Sequence, residues 1–404
     1  GTTHISGFLE GEDAMATLQA FRDMGVVIEG PAEGKVVGHG VGLNGLKPPP
    51  GPLYVGNSGT TIRLMAGLMA GQAFDVELSG DVSLNKRPME RVAKPLRLMG
   101  AIVETAEGGC PPMKIKGAQQ LTGIHYDLPM ASAQVKSCVM LAGLYAKGKT
   151  SVTEPAPTRD HTERMLKGFG YDVDRNADTC SINGQGQLVA TDIDVPSDIS
   201  SATFFLVAAA ICPGSDLVIE HVGMNPTRIG VVNILRLMGA DLKVQNEREV
   251  GGEPVADLHI KYAPLKGIHV PEDQVPLAID EFPALMVAAS CATGTTTITG
   301  AEELRVKESD RIQAMVDGLS AMGVTIEGTS DGAVIKGMGA EKRFTAAQIV
   351  THHDHRIAMA FTIAGLRAEA TIKILDCAHV ATSFPNFVEL ARTVGMSLDE
   401  EYQS

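Results

Sequence analysis

Six glycines organise this sequence: Gly25, Gly100, Gly170, Gly239, Gly323 and Gly395 each follow an apolar-periodic stretch and precede strand-like residues. They lie 75, 70, 69, 84 and 72 residues apart. Glycine directly after a helix is the usual left-handed C-cap, so the pattern predicts six helix ends of one kind. A second signature precedes each: a helix closing in a short turn, then a run rich in Thr, Val and Ile. Its helices are expected at Thr61–Ala70, Ala133–Ala146, Ser201–Ile211, Phe282–Ala292 and Arg356–Leu366. The repeating unit is therefore helix, strand, loop, helix, strands. Such units are too long for common solenoids and fit two lobes of three, residues 1–190 and 191–404. Gly184–Pro196 is the expected spacer. The first copy opens on the strand Thr2–Ser6. Its own first helix, and the strand before that, are expected to lie ahead of residue 1, leaving the edge of Thr2–Ser6 unpaired and aggregation-prone.

Composition narrows the function. Lys and Arg number 34 against 48 Asp and Glu, a net charge of −14, which disfavours nucleic acid and anionic membranes as partners. No apolar run reaches membrane-spanning length. The six cysteines are scattered without CxxC spacing, which reads as buried free thiols in a reducing cytoplasm.

Chemistry concentrates at the helix starts. Gly56-Asn57-Ser58-Gly59-Thr60-Thr61-Ile62-Arg63, Met130-Ala131-Ser132-Ala133-Gln134-Val135-Lys136, Ser197-Asp198-Ile199-Ser200-Ser201, Asp280-Glu281-Phe282-Pro283 and His352-His353-Asp354-His355-Arg356 open successive copies. Small and hydroxyl residues there either cap the helix or leave N–H groups free for an anion. Basic residues fall in equivalent loops: Lys86-Arg87-Pro88, Thr158-Arg159-Asp160-His161-Thr162 and Arg305-Val306-Lys307-Glu308-Ser309-Asp310-Arg311. Arginine suits bidentate contact with phosphate or carboxylate. The tract His352-His353-Asp354-His355 could ligate a metal, but adjacent residues point apart and no HExxH or CxxC companion exists. No metal and no cofactor are expected.

These motifs together, with Lys86-Arg87-Pro88-Met89, Ser132-Ala133-Gln134-Val135-Lys136-Ser137, Asp354-His355-Arg356 and Ser383-Phe384-Pro385, resemble the 5-enolpyruvylshikimate-3-phosphate synthases over essentially the whole chain. Ser-Ala-Gln-Val-Lys-Ser with Thr-Arg-Asp-His-Thr-Glu is similar to the second bacterial class. The resemblance implies an α/β fold of two lobes, each three βαβαββ units in an inside-out barrel, closing on substrate. It also implies a glyphosate-targeted transferase of aromatic amino-acid biosynthesis. The enolpyruvyl group of phosphoenolpyruvate would pass to the 5-hydroxyl of shikimate 3-phosphate, with release of phosphate. Its implied partners are those two small molecules alone, acted on by a monomer or by one part of a longer fused polypeptide.

Carried over by motif, the resemblance implies that Gly59, Arg87, Gln134, Arg311 and Arg356 hold phosphoenolpyruvate. Ser132, Ala133, Gln134, Arg159, Asp280 and Lys307 would contact shikimate 3-phosphate. Asp280, Lys307 and Glu308 would be the proton-transfer candidates. Two departures are expected to matter. The family's Lys-Ser motif with a following Arg has no counterpart in these residues, so reduced activity is expected of the 404 residues alone. Thr382 also stands where the other class commonly has Lys. The nearest rival is UDP-N-acetylglucosamine enolpyruvyl transferase, whose loop cysteine is missing from Gly80–Pro88. The other is a non-catalytic fragment.

Overall fold

The computed structural model describes residues 1–401. It comprises two compact units, residues 1–195 with Val250–Glu253, and Pro196–Glu249 with Pro254 onward. All six cap glycines have left-handed backbones, φ between 77° and 101°, where a side chain would be strained.

In the first unit, copy one holds β1 (Thr2–Ser6), α1 (Glu12–Asp23), β2 (Ile28–Ala32) and β3 (Lys35–His39). Copy two holds β4 (Leu53–Tyr54), α2 (Gly59–Ala70), β5 (Val76–Ser79), α3 (Glu90–Leu98), β6 (Val103–Thr105) and β7 (Met113–Ile115). Copy three repeats it with β8 (His125–Asp127), α4 (Ala133–Gly143), β9 (Lys149–Thr153), α5 (His161–Gly168), β10 (Asp174–Asn176) and β11 (Thr179–Asn183). The two sheets have one topology, β4-β5-β7-β6 and β8-β9-β11-β10, the first pair of each parallel and the rest antiparallel.

Copy one completes the same arrangement with a strand from elsewhere. β12 (Ile193–Asp194) lies parallel to β1, giving the order β12-β1-β3-β2, with Ile5 opposite Ile193 and Ser6 opposite Asp194. The Ser6 hydroxyl donates to Asp194 Oδ1 at 2.8 Å. This corrects one expectation, since the edge of β1 is paired at Ile5 and Ser6. The segment Gly184–Pro196 contains the boundary between the units, at Val195 and Pro196, and also supplies this strand.

The second unit contains α6 (Ile199–Ile211), β13 (Asp216–Gly223), α7 (Gly230–Leu237), β14 (Asp241–Val250) and β15 (Glu253–Lys261) as copy four. Copy five has α8 (Phe282–Cys291), β16 (Thr293–Ile298), α9 (Arg311–Ala321), β17 (Thr325–Gly328) and β18 (Ala333–Met338). Copy six has β19 (Gln348–Val350), α10 (His355–Ala364), β20 (Lys373–Leu375) and α11 (Phe387–Thr393); among the described residues no strand follows α11. In copies four and five the first strand shrinks to single parallel bridges, Ser197 to Val222 and His269 to Thr297.

Each unit has its own apolar core, one around Ile62, Met69, Leu96 and Val139, the other around Leu206, Phe282, Met315 and Phe361. Helices α6 and α8 are apolar on nearly every side, and α6, α8 and α10 pack together in the middle of their unit with sheets outside. In the first unit α2 and α4 take that place. They approach so closely that a Cβ on Gly67 would lie 2.1 Å from the Cys138 carbonyl oxygen. Phe384 of the Ser-Phe-Pro motif packs edge-on against Phe205 and Phe387, so it serves the core. Cys138, Cys180 and Cys291 are buried free thiols, whereas Cys377 is exposed.

Candidate active site

Most of the helix starts singled out by sequence are ordinary caps. Ser58, Ser132, Asp198 and Asp354 each accept a backbone N–H from the first turn of α2, α4, α6 and α10. Ser132 accepts from Val135 N at 3.3 Å, which leaves its hydroxyl proton free to donate elsewhere.

In the first unit, the starts of α2 and α4 are tied together. Gln134 Nε2 donates to Thr60 Oγ1 at 2.8 Å, and its Oε1 accepts from Arg63 Nη1. Arg87, at the end of a 3-10 turn (Leu84–Lys86), donates to Asn57 Oδ1 at 3.1 Å, and Asn57 in turn donates to Asp81 at 2.7 Å. Both guanidiniums crowd Gly59: a Cβ there would lie 3.1 Å from Arg87 Nη1 and 3.4 Å from Arg63 Nη1. Gly59, Arg87 and Gln134 are thus neighbours.

Arg63 joins them without having been predicted as a site residue. It is 91% buried, and its Nε has no partner. Burial, then repulsion from Arg91 and Arg87, pushes its pKa down to about 10. Among the described residues neither Arg63 nor Arg87 pairs with a carboxylate. Two uncompensated guanidiniums beside a side-chain-free helix start form an anion-binding arrangement. The available signal was a lone cation inside the apolar stretch Ile62–Ala70. Ala133 is the first residue of α4, and Arg159 lies half-buried in the loop between β9 and α5.

In the second unit, Asp280, Lys307, Glu308, Arg311 and Arg356 form one charged network. Asp280 sits in the 3-10 segment leading into α8 and accepts Arg311 Nη1 at 3.3 Å; Lys307 Nζ lies 3.5 Å from the same oxygen. Lys307 also contacts Glu303 at 2.6 Å. Glu308 pairs with Arg311 at 2.6 Å, and Arg356 donates to the Asp280 carbonyl at 3.1 Å.

Arg311 is the hub. Its side chain is 1% exposed, and Asp354 takes its Nε at 2.8 Å. Burial opposes its charge, but Asp354 and Glu308 overcome that and hold its pKa above the ordinary arginine value. The same contest runs in reverse at Glu308. Burial pushes its carboxyl up, and Arg311 more than offsets this, keeping it below the usual range.

The His tract divides. Asp354 is committed to capping α10 and pairing Arg311, and the exposed His353 ring meets His379 edge-on at 5.1 Å. Burial, followed by the Arg356 charge, pushes His355 down to about 4. Among the described residues no group of three His, Cys, Asp or Glu side chains is arranged to hold a metal. Thr382 donates to the His379 carbonyl at 2.7 Å.

Comparison with known proteins covers nearly the whole chain. The family model described as EPSP synthase (3-phosphoshikimate 1-carboxyvinyltransferase) matches residues 1–390. A 3-phosphoshikimate 1-carboxyvinyltransferase of Methylococcus capsulatus is 62% identical over 399 residues, covering 99% of this chain and 90% of the relative. One from Alkalilimnicola ehrlichii is also 62% identical, over 98% of this chain and 89% of its own. A solved EPSP synthase from Acinetobacter baumannii superposes with a TM-score of 0.92 at 63% identity, covering 98% of this chain and 91% of that one.

Proposed function

The chain belongs to the EPSP synthase family, and on that premise we propose how its charged helix starts divide the work of the reaction. The enzyme transfers the enolpyruvyl group of phosphoenolpyruvate to the 5-hydroxyl of shikimate 3-phosphate and releases phosphate, a step of the shikimate pathway. The hydroxyl oxygen adds to C2 as C3 takes a proton. The C2–O bond to phosphate then breaks as C3 gives a proton up.

The pair Arg63 and Arg87 carries the assignment of the phosphoenolpyruvate phosphate, because both guanidiniums lack a carboxylate and flank Gly59. Gln134 and the Gly59 N–H assist. Ser132, Ala133 and Arg159 receive shikimate 3-phosphate, Ser132 through its unspent hydroxyl proton. Asp280 takes the proton of the 5-hydroxyl and Lys307 steadies that carboxylate. Arg311 and Arg356 hold the phosphoenolpyruvate carboxylate.

Glu308 is the proton carrier for C3. Paired with Arg311, Glu308 stays ionised. An anion arriving at Arg311 competes with Glu308 for that cation, while burial favours the neutral carboxyl. The chain acts without a cofactor, in the cytoplasm, and its Ser132–Ser137 motif supports the second bacterial class.

Phosphate release from phosphoenolpyruvate tests the reading. It should depend on shikimate 3-phosphate and not occur with UDP-N-acetylglucosamine; the reverse preference overturns it.

A further inference from the structure

Lys136 stands on α4, two residues after Gln134, in a stretch that is otherwise apolar or small. Its side chain is 0% exposed, and its Nζ lies 3.0 Å from Glu154 and 2.8 Å from Glu163. Those carboxylates are themselves buried, 1% and 6% exposed. Arg175 on β10 pairs with both from the other side, at 2.9 and 3.3 Å. One buried cation and one partly exposed cation therefore share two buried carboxylates.

Such a cluster is poor evidence for stability, since apolar residues of similar size often hold a core as well. What it supplies is geometry, because both partners of each ion must stay in register. Here the partners bracket one loop. Glu154 directly follows β9, Glu163 lies in the first turn of α5, and between them run Thr158, Arg159 and Asp160. The Thr158 hydroxyl donates to Glu154, tying the residue before Arg159 to the cluster. Next along α4, Ser137 bonds Thr162 at 2.7 Å, a second tie to the same segment.

We infer that Lys136 is a positioning residue for shikimate 3-phosphate: through Glu154 and Glu163 it fixes the loop carrying Arg159 against the start of α4, where Ser132 and Ala133 sit. This rests on the assignment of Arg159, Ser132 and Ala133 to that substrate. Lys136 touches no substrate itself. It acts by holding the loop's arginine and the helix's hydroxyl at one spacing, so that a single phosphate meets both.

Two variants test it by calorimetry. Thr158→Val removes only the loop's tie to Glu154, on a half-buried side chain whose loss leaves the core intact. The triple variant K136M/E154Q/E163Q removes the buried charges together, and leaves Arg175, a third exposed, facing solvent. The dissociation constant for shikimate 3-phosphate should rise about tenfold in the triple variant and about threefold in Thr158→Val, while the KM for phosphoenolpyruvate moves by less than about twofold. A purely structural role would move both substrates together or neither. If Thr158→Val, or a folded triple variant, binds shikimate 3-phosphate within about twofold of wild type, the inference is overturned. If the triple variant fails to fold, Thr158→Val decides alone. Wild-type protein that ignores shikimate 3-phosphate would overturn the functional reading itself, and this inference with it.

Discussion

An arginine and a histidine show how surroundings, rather than residue type, set the chemistry of single positions. Arg87 has no carboxylate partner, so its charge is available to a ligand. Arg87→Ala should weaken phosphoenolpyruvate binding by about 2–4 kcal/mol, roughly 30- to 1000-fold, while shikimate 3-phosphate binding changes little. Titration calorimetry with each ligand reads this directly, and equal losses would make Arg87 structural. His355 offers a test by pH. Its unfolded form takes a proton near the ordinary value of 6.5, but the folded form only near 4. The native state therefore binds fewer protons in between, and stability present above pH 6.5 is lost as pH falls toward 4, by up to about 3 kcal/mol. Urea denaturation across that window should show the decline in wild type and a shallower one in His355→Gln. Identical slopes would remove His355 from the account.

At the scale of elements, helix ends do double duty. Asp354 caps α10 and also pairs with buried Arg311. Asp354→Ala should therefore cost about 3–5 kcal/mol, more than the roughly 1 kcal/mol of a lost cap, because Arg311 loses its fully buried counter-charge. A chemical melt that falls by only a cap's worth would show that Glu308 and Asp280 suffice for Arg311. The elements also show what sequence can reveal. The six cap glycines were legible because only glycine fits that backbone cheaply, and the five central helices because each is a long apolar run. β12 was not: two residues carry no periodicity, and their partner lies 188 positions away. Gly59, Arg87 and Gln134 fall together because repeated units place equivalent helix starts side by side. Arg63 and Lys136 were hidden by the same helices, each a single cation in an apolar run. One remains without a carboxylate and the other sits between two, a difference set by tertiary partners far along the chain.

For the whole molecule, the point is that each unit closes its own core. Asp354→Ala should then lower the melting of the second unit selectively and split or broaden the calorimetric endotherm. One sharp, shifted peak would mean that the two cores unfold only together. The chain as a whole carries a charge of −14 yet acts on two anions, which places the burden of binding on a few arginines: Arg63 and Arg87 without a carboxylate partner, Arg311 and Arg356 within a network of carboxylates. Addition followed by elimination is the chemistry these positions serve. Mass spectrometry of the product formed from shikimate 3-phosphate and phosphoenolpyruvate in heavy water tests it most directly. Whatever the rate, the product should contain shikimate 3-phosphate plus one enolpyruvyl group, with deuterium in its methylene carbon, because C3 passes through a methyl group that takes one solvent proton. A product without deuterium, or no transfer to shikimate 3-phosphate under conditions where UDP-N-acetylglucosamine is modified, would contradict it.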